Sequence, residues 1–179
     1  ATPRSTKTTS DRLKAMRDGG DDPGLMVLYF NFGRYLLIAS SRTGGLPANL
    51  QGKWNEELAP PWDCDLHQDV NIQMNYWPAE PCDLGECIEP LFAHMERFVP
   101  HAREAAAWLA QHMWWRYEFG RDQAFLRDRA YPYFKLVAAF YESYLVRDAE
   151  GRLVTVPSQS PENYFVGGTK PVSLCIGAT

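Results

Sequence analysis

Residues 60–80 crowd carboxylates, amides and a histidine among indole and phenol rings. Aromatic faces pack against the C–H patches of a pyranose ring, while Asp, Asn and His side chains bind its hydroxyl groups. The stretch therefore predicts a carbohydrate pocket, in which Trp62 and Trp77 either stack on the sugar or fill the core beneath it. The polar and aromatic candidates are Trp62, Asp65, His67, Asp69, Asn71, Asn75, Tyr76 and Trp77.

A second candidate lies far downstream, in the loop 156–163, which two prolines punctuate. Glu162 in this loop is a carboxyl group, and such groups act as general acids when their surroundings keep them protonated. Asn163 follows it directly and is a candidate contact to the same ligand. The loop therefore offers a candidate proton donor.

The spacing of His67, Asp69 and Asn71 makes a geometric prediction. Residues two apart share a face in an extended chain but not in a helix, so 67–71 is predicted to be extended. Asn71 would then begin the following turn, a position that asparagine favours, and Asn75 would lie one helical turn later. The alternative is that Asn71 and Asn75 only cap and cross-link loops.

Composition narrows the class of ligand. The chain has 179 residues, 45% of them hydrophobic, which suffices for one domain with a sizeable core. A net charge of -4 without a Lys/Arg run argues against nucleic acid and against an anionic membrane surface. No apolar run approaches the roughly 20 residues of a membrane span, and the polar residues 1–22 do not encode a compartment. A neutral ligand fits best.

The cysteines and histidines do not predict a metal site. The chain has four of each, without a CxxC or an HExxH spacing. The cysteines are also too few for a disulfide scaffold, so ordinary thiols are expected. No metal and no cofactor is implied, because two suitably placed carboxylates and a water suffice for glycoside hydrolysis.

The apolar periodicity predicts an all-α chain. Asp22 before Pro23 is a helix start signal, and apolar residues from Leu25 to Ala39 then recur at three- and four-residue spacing to about Ser41. A polar N-terminal segment or linker is expected over 1–22, and a long irregular connection over 46–65. Further helices are predicted over 71–77, 86–98, 102–119 (closed by Gly120), 122–130 and 132–146, with a single strand over 153–156.

Four motifs carry a family resemblance. They are YFNFGRYLLIASSR (29–42), LPANLQG (46–52), NIQMNYWPAE (71–80) and SPEN (160–163). In this order they resemble the central domain of glycoside hydrolase family 95, whose members are mostly α-L-fucosidases acting on 1,2-linked fucose. The resemblance implies an (α/α)6 toroid of the six-hairpin glycosidase type, flanked by β-rich domains, and it suggests an extracytoplasmic protein.

The resemblance also implies roles for individual residues. Glu162 matches the general acid of this inverting family, and Asn71 matches one of two asparagines that hold the attacking water. Asp69 stands where the family has the other asparagine, so a carboxylate there either holds the water more strongly or acts as a base. His67 matches a sugar-contacting histidine of the fucosidases, which relatives that prefer L-galactose can replace by a smaller residue.

Relative to the family, residues 23–179 are expected to form only part of the catalytic domain. The resemblance implies an internal deletion near 105–107 and a truncation after residue 179, before the helices that carry the usual catalytic aspartate. A partial ring would leave apolar faces such as Leu28, Phe32 and Leu36 uncovered. Three readings follow: part of an α-L-fucosidase acting on a fucosylated oligosaccharide, a relative acting on α-L-galactose or another terminal sugar, or a non-catalytic helical remnant that binds carbohydrate.

Overall fold

The computed structural model describes residues 6–68, 70–98, 105–159, 165–167, 170–172 and 174–178. Most of them are helical, which confirms the predicted all-α class. The α-helices are α1 (Thr9–Arg17), α2 (Pro23–Ser40), α3 (Asn71–Tyr76), α4 (Glu89–Phe98), α5 (Ala105–Gly120), α6 (Gln123–Phe125) and α7 (Tyr131–Tyr144). Short 3-10 turns cover Pro61–Cys64 and Gly85–Ile88, and a π-helical segment covers Leu126–Ala130.

The strands follow the helices. They are β1 (Leu145–Arg147), β2 (Leu153–Gln159), β3 (Phe165–Gly167), β4 (Lys170–Val172) and β5 (Leu174–Ala178). The first sheet has the order β1-β2-β5 and is antiparallel, while β3 pairs with β4.

The prediction of a single strand over 153–156 was therefore wrong, as was the extension of the last helix to residue 146. Val146 pairs with Val154 instead. The turn between them is tight, since the Gly151 N–H donates to the carbonyl of Asp148 at 3.0 Å and Gly151 has a φ of 79°. An apolar end of a helix and a short strand look alike in sequence, and this cross-strand pairing decides between them.

Within the predicted polar N-terminal segment or linker, residues Thr9–Arg17 form helix α1. Thr8 caps α1 by accepting from the N–H of Asp11 at 3.1 Å. Arg12 then forms a two-pronged ion pair with Asp22, at 2.8 Å and 2.9 Å. This hydrogen bonding lowers the pKa of the Asp22 carboxyl to about 2. Because α1 buries no residue, its polar sequence lacked the apolar period that reveals most helices.

Helix α2 begins where Asp22 and Pro23 predict. The Asp22 carboxylate accepts from the N–H of Leu25 at 2.9 Å, which caps the first turn. The helix buries only Leu25, Leu37 and Ser40. Most of its other large apolar residues are exposed, among them Leu28, Phe32 and Leu36, which were predicted to be uncovered, while Ile38 packs partly buried against the core. No helix among the described residues is long and apolar enough to cross a membrane.

The core lies around α3, α4, α5 and the start of α7. Its largest fully buried apolar side chains are Tyr76, Phe92, Ile72, Ile88, Leu91, Met95 and Met113. Outside this core, the guanidinium group of Arg129 forms ion pairs with the carboxylates of Glu89 and Glu96 on α4, at 2.7 Å and 2.8 Å. Ile88, Leu91, Phe92 and Met95 belong to the apolar face predicted for α4, and all four are buried in this core.

Two helix boundaries differ from the prediction. Gly120 belongs to α5, and the left-handed residue that ends this helix is Arg121, with a φ of 50°. Asp122 caps the next helix as predicted, since its carboxylate accepts from the N–H groups of Ala124 and Phe125 at 2.9 Å and 3.1 Å. From there the chain stays helical through the π segment into α7, whose first turn contains Pro132.

Candidate functional site

The hydroxyl of Tyr76 joins α3 to the end of α2 and to the loop 46–65. It accepts from the N–H of Ala48 at 2.8 Å and lies 2.6 Å from Oγ of Ser41. Ser41 in turn donates to the carbonyl of Cys87 at 2.8 Å. Ser41, Ala48 and Tyr76 are all buried. Burial raises the pKa of Tyr76 to about 12, so this phenol stays protonated. The network fixes the loop against the C-terminal end of α3.

The loop presents an indole on strained backbone. Trp62, Asp63 and Cys64 all lie in the left-handed region, with φ of 49°, 53° and 52°. Such conformations cost about 1–3 kcal/mol each, and they persist where the surroundings impose them, often at functional sites. Here the closing bonds run from Asp63 N–H to the Pro60 carbonyl at 3.1 Å and from Asp65 N–H to the Trp62 carbonyl at 3.2 Å. The side chain of Trp62 is left 75% exposed.

The backbone turns back between His67 and Ile72, so the prediction of an extended segment over 67–71 was wrong. The N–H of Ile72 donates to the carbonyl of His67 at 2.9 Å, which closes the turn. Val70 has a φ of 73°, a rare conformation for a β-branched residue. Asn71 is the first residue of α3, with Val70 in the cap position. The side chains of His67 and Asn71 were predicted to converge on one face of an extended segment. In the structure the turn brings both of them to the lining of one cavity.

Gln73 braces this turn from inside. Its side chain is fully buried and donates from Nε2 to the carbonyl of Gln68 at 2.7 Å. Gln73 was not a predicted site residue, because an amide side chain in a helix is commonly solvated. Its position beside the apolar Ile72 in a buried helix was the one signal that could have revealed it.

Asp65 orients the ring of His67. Nδ1 of His67 lies 3.0 Å from one carboxylate oxygen of Asp65 and 3.3 Å from the other. A carboxylate at Nδ1 places the ring proton there and leaves Nε2 as the atom that can meet a ligand. Both side chains are partly open to solvent. Asp65 and His67 were predicted as two separate sugar contacts. In the structure the carboxylate of Asp65 holds the ring of His67 in its orientation.

His67, Asn71 and Trp62 line one cavity of about 320 Å³, together with Leu50, Gln51 and Pro61. This volume lies at the lower end of the range of small-molecule pockets. Gln51 was not among the predicted site residues, although it lies in one of the matched motifs. The backbone N–H of Gln51 donates to Oδ1 of Asn49 at 2.9 Å.

Five other predicted residues lie elsewhere or outside the described part of the chain. Trp77 lines a different cavity, on the other side of α3. Asn75 donates to the carbonyl of Asn49 at 3.1 Å, which is the cross-linking role that was the alternative for it. Asp69, Glu162 and Asn163 fall outside the described residues. Their predicted roles stay predictions.

The described site can bind a neutral polar ring. It offers an imidazole nitrogen, two amide side chains and an exposed indole, which together provide hydrogen-bond donors, acceptors and a flat apolar face. Within the described ranges, no three His, Cys, Asp or Glu side chains come together as metal ligands would. A mostly helical domain with such a pocket at its loops is typical of a carbohydrate-active protein.

The family comparison gives this class a name. The chain matches the glycosyl hydrolase family 95 catalytic domain over residues 1–107 and again over residues 101–179. It belongs to this family, which confirms the resemblance seen in the motifs.

Named relatives agree with the family. The chain is 33% identical to "Alpha-L-fucosidase 2" of Arabidopsis thaliana over 216 residues, which cover 99% of this chain and 26% of the relative. It is 34% identical to "Probable alpha-fucosidase A" of Aspergillus niger over 198 residues, covering 88% of this chain and 25% of that protein. The chain therefore spans about a quarter of the length of the relatives it matches.

Proposed function

We propose that this chain is part of an inverting α-L-fucosidase that releases terminal, 1,2-linked fucose from oligosaccharides or glycoconjugates. The observation that carries the proposal is the cavity shared by Trp62, His67 and Asn71 in a member of this glycosidase family. A methyl pentose has an apolar edge for the indole and several hydroxyl groups for the imidazole and the amide. The relatives' names point to the same sugar.

In this proposal each group has a separate task. Glu162 protonates the departing glycosidic oxygen. A water on the opposite face of the sugar attacks the anomeric carbon, while Asn71 and Asp69 hold that water by hydrogen bonds and the Asp69 carboxylate takes its proton as the general base. In inverting enzymes the acid and the base lie roughly 6.5–9.5 Å apart to leave room for the water. His67, with its tautomer set by Asp65, binds a hydroxyl group of the sugar through Nε2.

The proposal includes a shortened catalytic domain. The two family matches meet at residues 101–107, and the stretch aligned with the Arabidopsis protein is 216 residues long, more than the 179 residues of the whole chain. Both facts support an internal segment that relatives have and this chain lacks. The flanking β-rich domains implied by the resemblance are part of the same proposal.

The test is release of fucose from 2′-fucosyllactose by the chain, by Glu162→Gln and by Glu142→Gln. Glu142 lies exposed on α7 and serves as the matched control for a lost carboxylate. We expect fucose from the parent and the control, and a loss of at least about 100-fold in Glu162→Gln, as is usual for a missing general acid. Proton NMR of the first product should show the β-anomer, because inversion at an α-linked sugar gives it.

Each other outcome is informative. Equal rates in all three proteins would contradict the role of Glu162, and initial α-anomer would contradict inversion. No release from 2′-fucosyllactose, together with release of L-galactose from an α-L-galactoside, would change the sugar within the same family. No release from any substrate would contradict hydrolysis by this chain and favour the carbohydrate-binding remnant.

A further inference from the structure

Helix α3 bonds the turn that precedes it on both sides of residue 69. The backbone N–H of Ile72 donates to the carbonyl of His67 at 2.9 Å. The backbone N–H of Met74 donates to the carbonyl of Val70, also at 2.9 Å. Every residue except proline carries a backbone N–H, so neither bond depends on the type of side chain at its donor. These two bonds follow from the path of the chain alone.

A third bond to the same turn comes from a side chain. Nε2 of Gln73 donates to the carbonyl of Gln68 at 2.7 Å. This carbonyl belongs to the rigid, planar peptide unit that joins residue 68 to Asp69. A fixed carbonyl therefore fixes the peptide plane from which the chain enters Asp69. Of the three bonds, this is the one that a substitution of its donor removes.

The burial of this amide is unfavourable for the fold. Gln73 is 0% exposed, and its Oε1 has no hydrogen-bond partner within the described ranges of the chain. A buried polar atom without a partner destabilises the folded state, whereas a hydrocarbon side chain of similar size avoids this penalty. Ile72 and Tyr76, which neighbour Gln73 on α3, belong to the buried core. Packing alone therefore favours a hydrocarbon at position 73, and the amide adds the bond to Gln68.

The turn connects Gln73 to the candidate site. His67 and Asn71, at the two ends of the turn, both line the cavity of about 320 Å³, and Gln73 does not. A fully buried side chain cannot touch a ligand in that cavity, so Gln73 acts through the backbone that it holds. The carbonyl of His67 already has a backbone donor. The peptide that leads into Asp69 therefore depends on Gln73 more than His67 does.

We propose that Gln73 is a positioning residue of the candidate site, whose buried amide sets the direction of Asp69 so that Asp69 and Asn71 hold the same water. This inference rests on the roles proposed above for Asp69 and Asn71. Placement matters in such a pair, because a misplacement of about 1 Å can lower a rate by about 100-fold. Since His67 keeps its own backbone bond, loss of the amide affects the attack of the water more than the binding of the sugar.

The first experiment measures kcat and KM for release of fucose from 2′-fucosyllactose by the parent chain and by Gln73→Met. Methionine has a similar size but no donor, so we expect kcat to fall about 10- to 100-fold and KM to stay within about threefold. Gln123→Met is the matched control and should change neither constant. Gln123 is an exposed glutamine whose amide donates to the hydroxyl of Tyr117 at 2.8 Å, and it does not line the site cavity.

Urea denaturation of each variant separates positioning from a purely structural role. A less stable Gln73→Met with the kcat of the parent would overturn the inference, because the amide would then serve the fold alone. Gln73→Leu repeats the test with a second hydrocarbon. If neither variant folds, the amide is required for folding itself, and the inference is overturned as well.

Amide hydrogen exchange of the ligand-free chain tests the turn without hydrolysis. In Gln73→Met the N–H groups of Ile72 and Met74 should exchange at least about fivefold faster, because the turn has lost one of its three bonds. The N–H of Trp77 donates to the backbone carbonyl of Gln73 at 3.0 Å and should keep its rate. Unchanged exchange at Ile72 and Met74 would overturn the inference.

The two measurements distinguish failure of this inference from failure of the proposed hydrolysis. An active parent with the same kcat in Gln73→Met would contradict the role of Gln73 and leave the hydrolysis standing. An inactive parent would contradict the hydrolysis, and the exchange rates would then decide whether Gln73 positions the turn. Faster exchange in Gln73→Met supports that positioning, and equal exchange overturns it.

Discussion

Asp65 and His67 lie two residues apart and face each other across 3.0 Å, carboxylate to Nδ1. The pair forms where strained backbone surrounds it, with left-handed residues at 62–64 on one side and Val70 on the other. The backbone of Asp65 is also tied to the loop, since its carbonyl accepts from the N–H of Leu50 at 3.0 Å. The imidazole is thus positioned by a network that local helix or strand propensity does not create.

Replacing Asp65 by alanine should weaken the binding of fucose without unfolding the chain. His67 would lose the partner that fixes its tautomer, and because the pair is partly solvent-exposed we expect only about a three- to tenfold rise in Kd. Calorimetric titration measures this change. Asp63→Asn is the control, since asparagine tolerates the left-handed conformation there. An unchanged Kd in Asp65→Ala would show that the ring needs no support from the carboxylate.

Val70→Gly should cost less stability than the same change in a regular helix. Valine pays about 1–2 kcal/mol for its left-handed backbone, and glycine does not. We therefore expect the loss in unfolding free energy to be about 1–2 kcal/mol smaller than for Val137→Gly, which replaces a half-buried valine within α7. Urea denaturation of the two variants gives the comparison. An equal or larger loss at Val70 would mean that the turn carries no strain.

Tyr76→Phe should destabilise the fold by about 1–3 kcal/mol. Removal of the hydroxyl leaves the buried N–H of Ala48 and Oγ of Ser41 without this partner. Tyr35→Phe removes a hydroxyl from an exposed ring and should change the unfolding free energy by less than about 0.5 kcal/mol. Urea denaturation again provides the measurement. Equal effects of the two substitutions would argue against the network as the anchor of the loop.

The features that local chemistry encodes were predictable. Asp22 with Pro23 and Asp122 marked helix starts, and each carboxylate caps the helix that follows it. The apolar period of 86–98 gave the buried face of α4. The types of residue around 60–80 also brought Trp62, His67 and Asn71 into one predicted pocket, and the structure lines one cavity with all three. Their roles toward a sugar stay predictions.

The features set by distant contacts were not predictable. Extension of 67–71 followed from side-chain periodicity, but the bonds from Ile72 N–H to His67 and from Gln73 to Gln68 close a turn there. For α2, the exposure of Leu28 and Phe32 was predicted, but nothing in the apolar periodicity marked Leu37 as the residue that packing buries. A helix that is apolar all round does not reveal from its own sequence which face has neighbours.

Stability should fall as the pH drops from about 6.5 to about 4, because of His112. Burial lowers the pKa of this residue to about 4 in the folded chain, whereas an unfolded histidine titrates near 6.5. Between these values the unfolded state binds a proton that the folded state does not, so the loss reaches about 3 kcal/mol at pH 4. Glu80 opposes this trend, since burial raises its pKa and the folded state takes up its proton first. Urea denaturation at several pH values should therefore show a loss that is steeper in Glu80→Gln and nearly absent in His112→Phe. A parent chain equally stable at pH 7 and pH 4.5 would contradict the burial of a neutral imidazole.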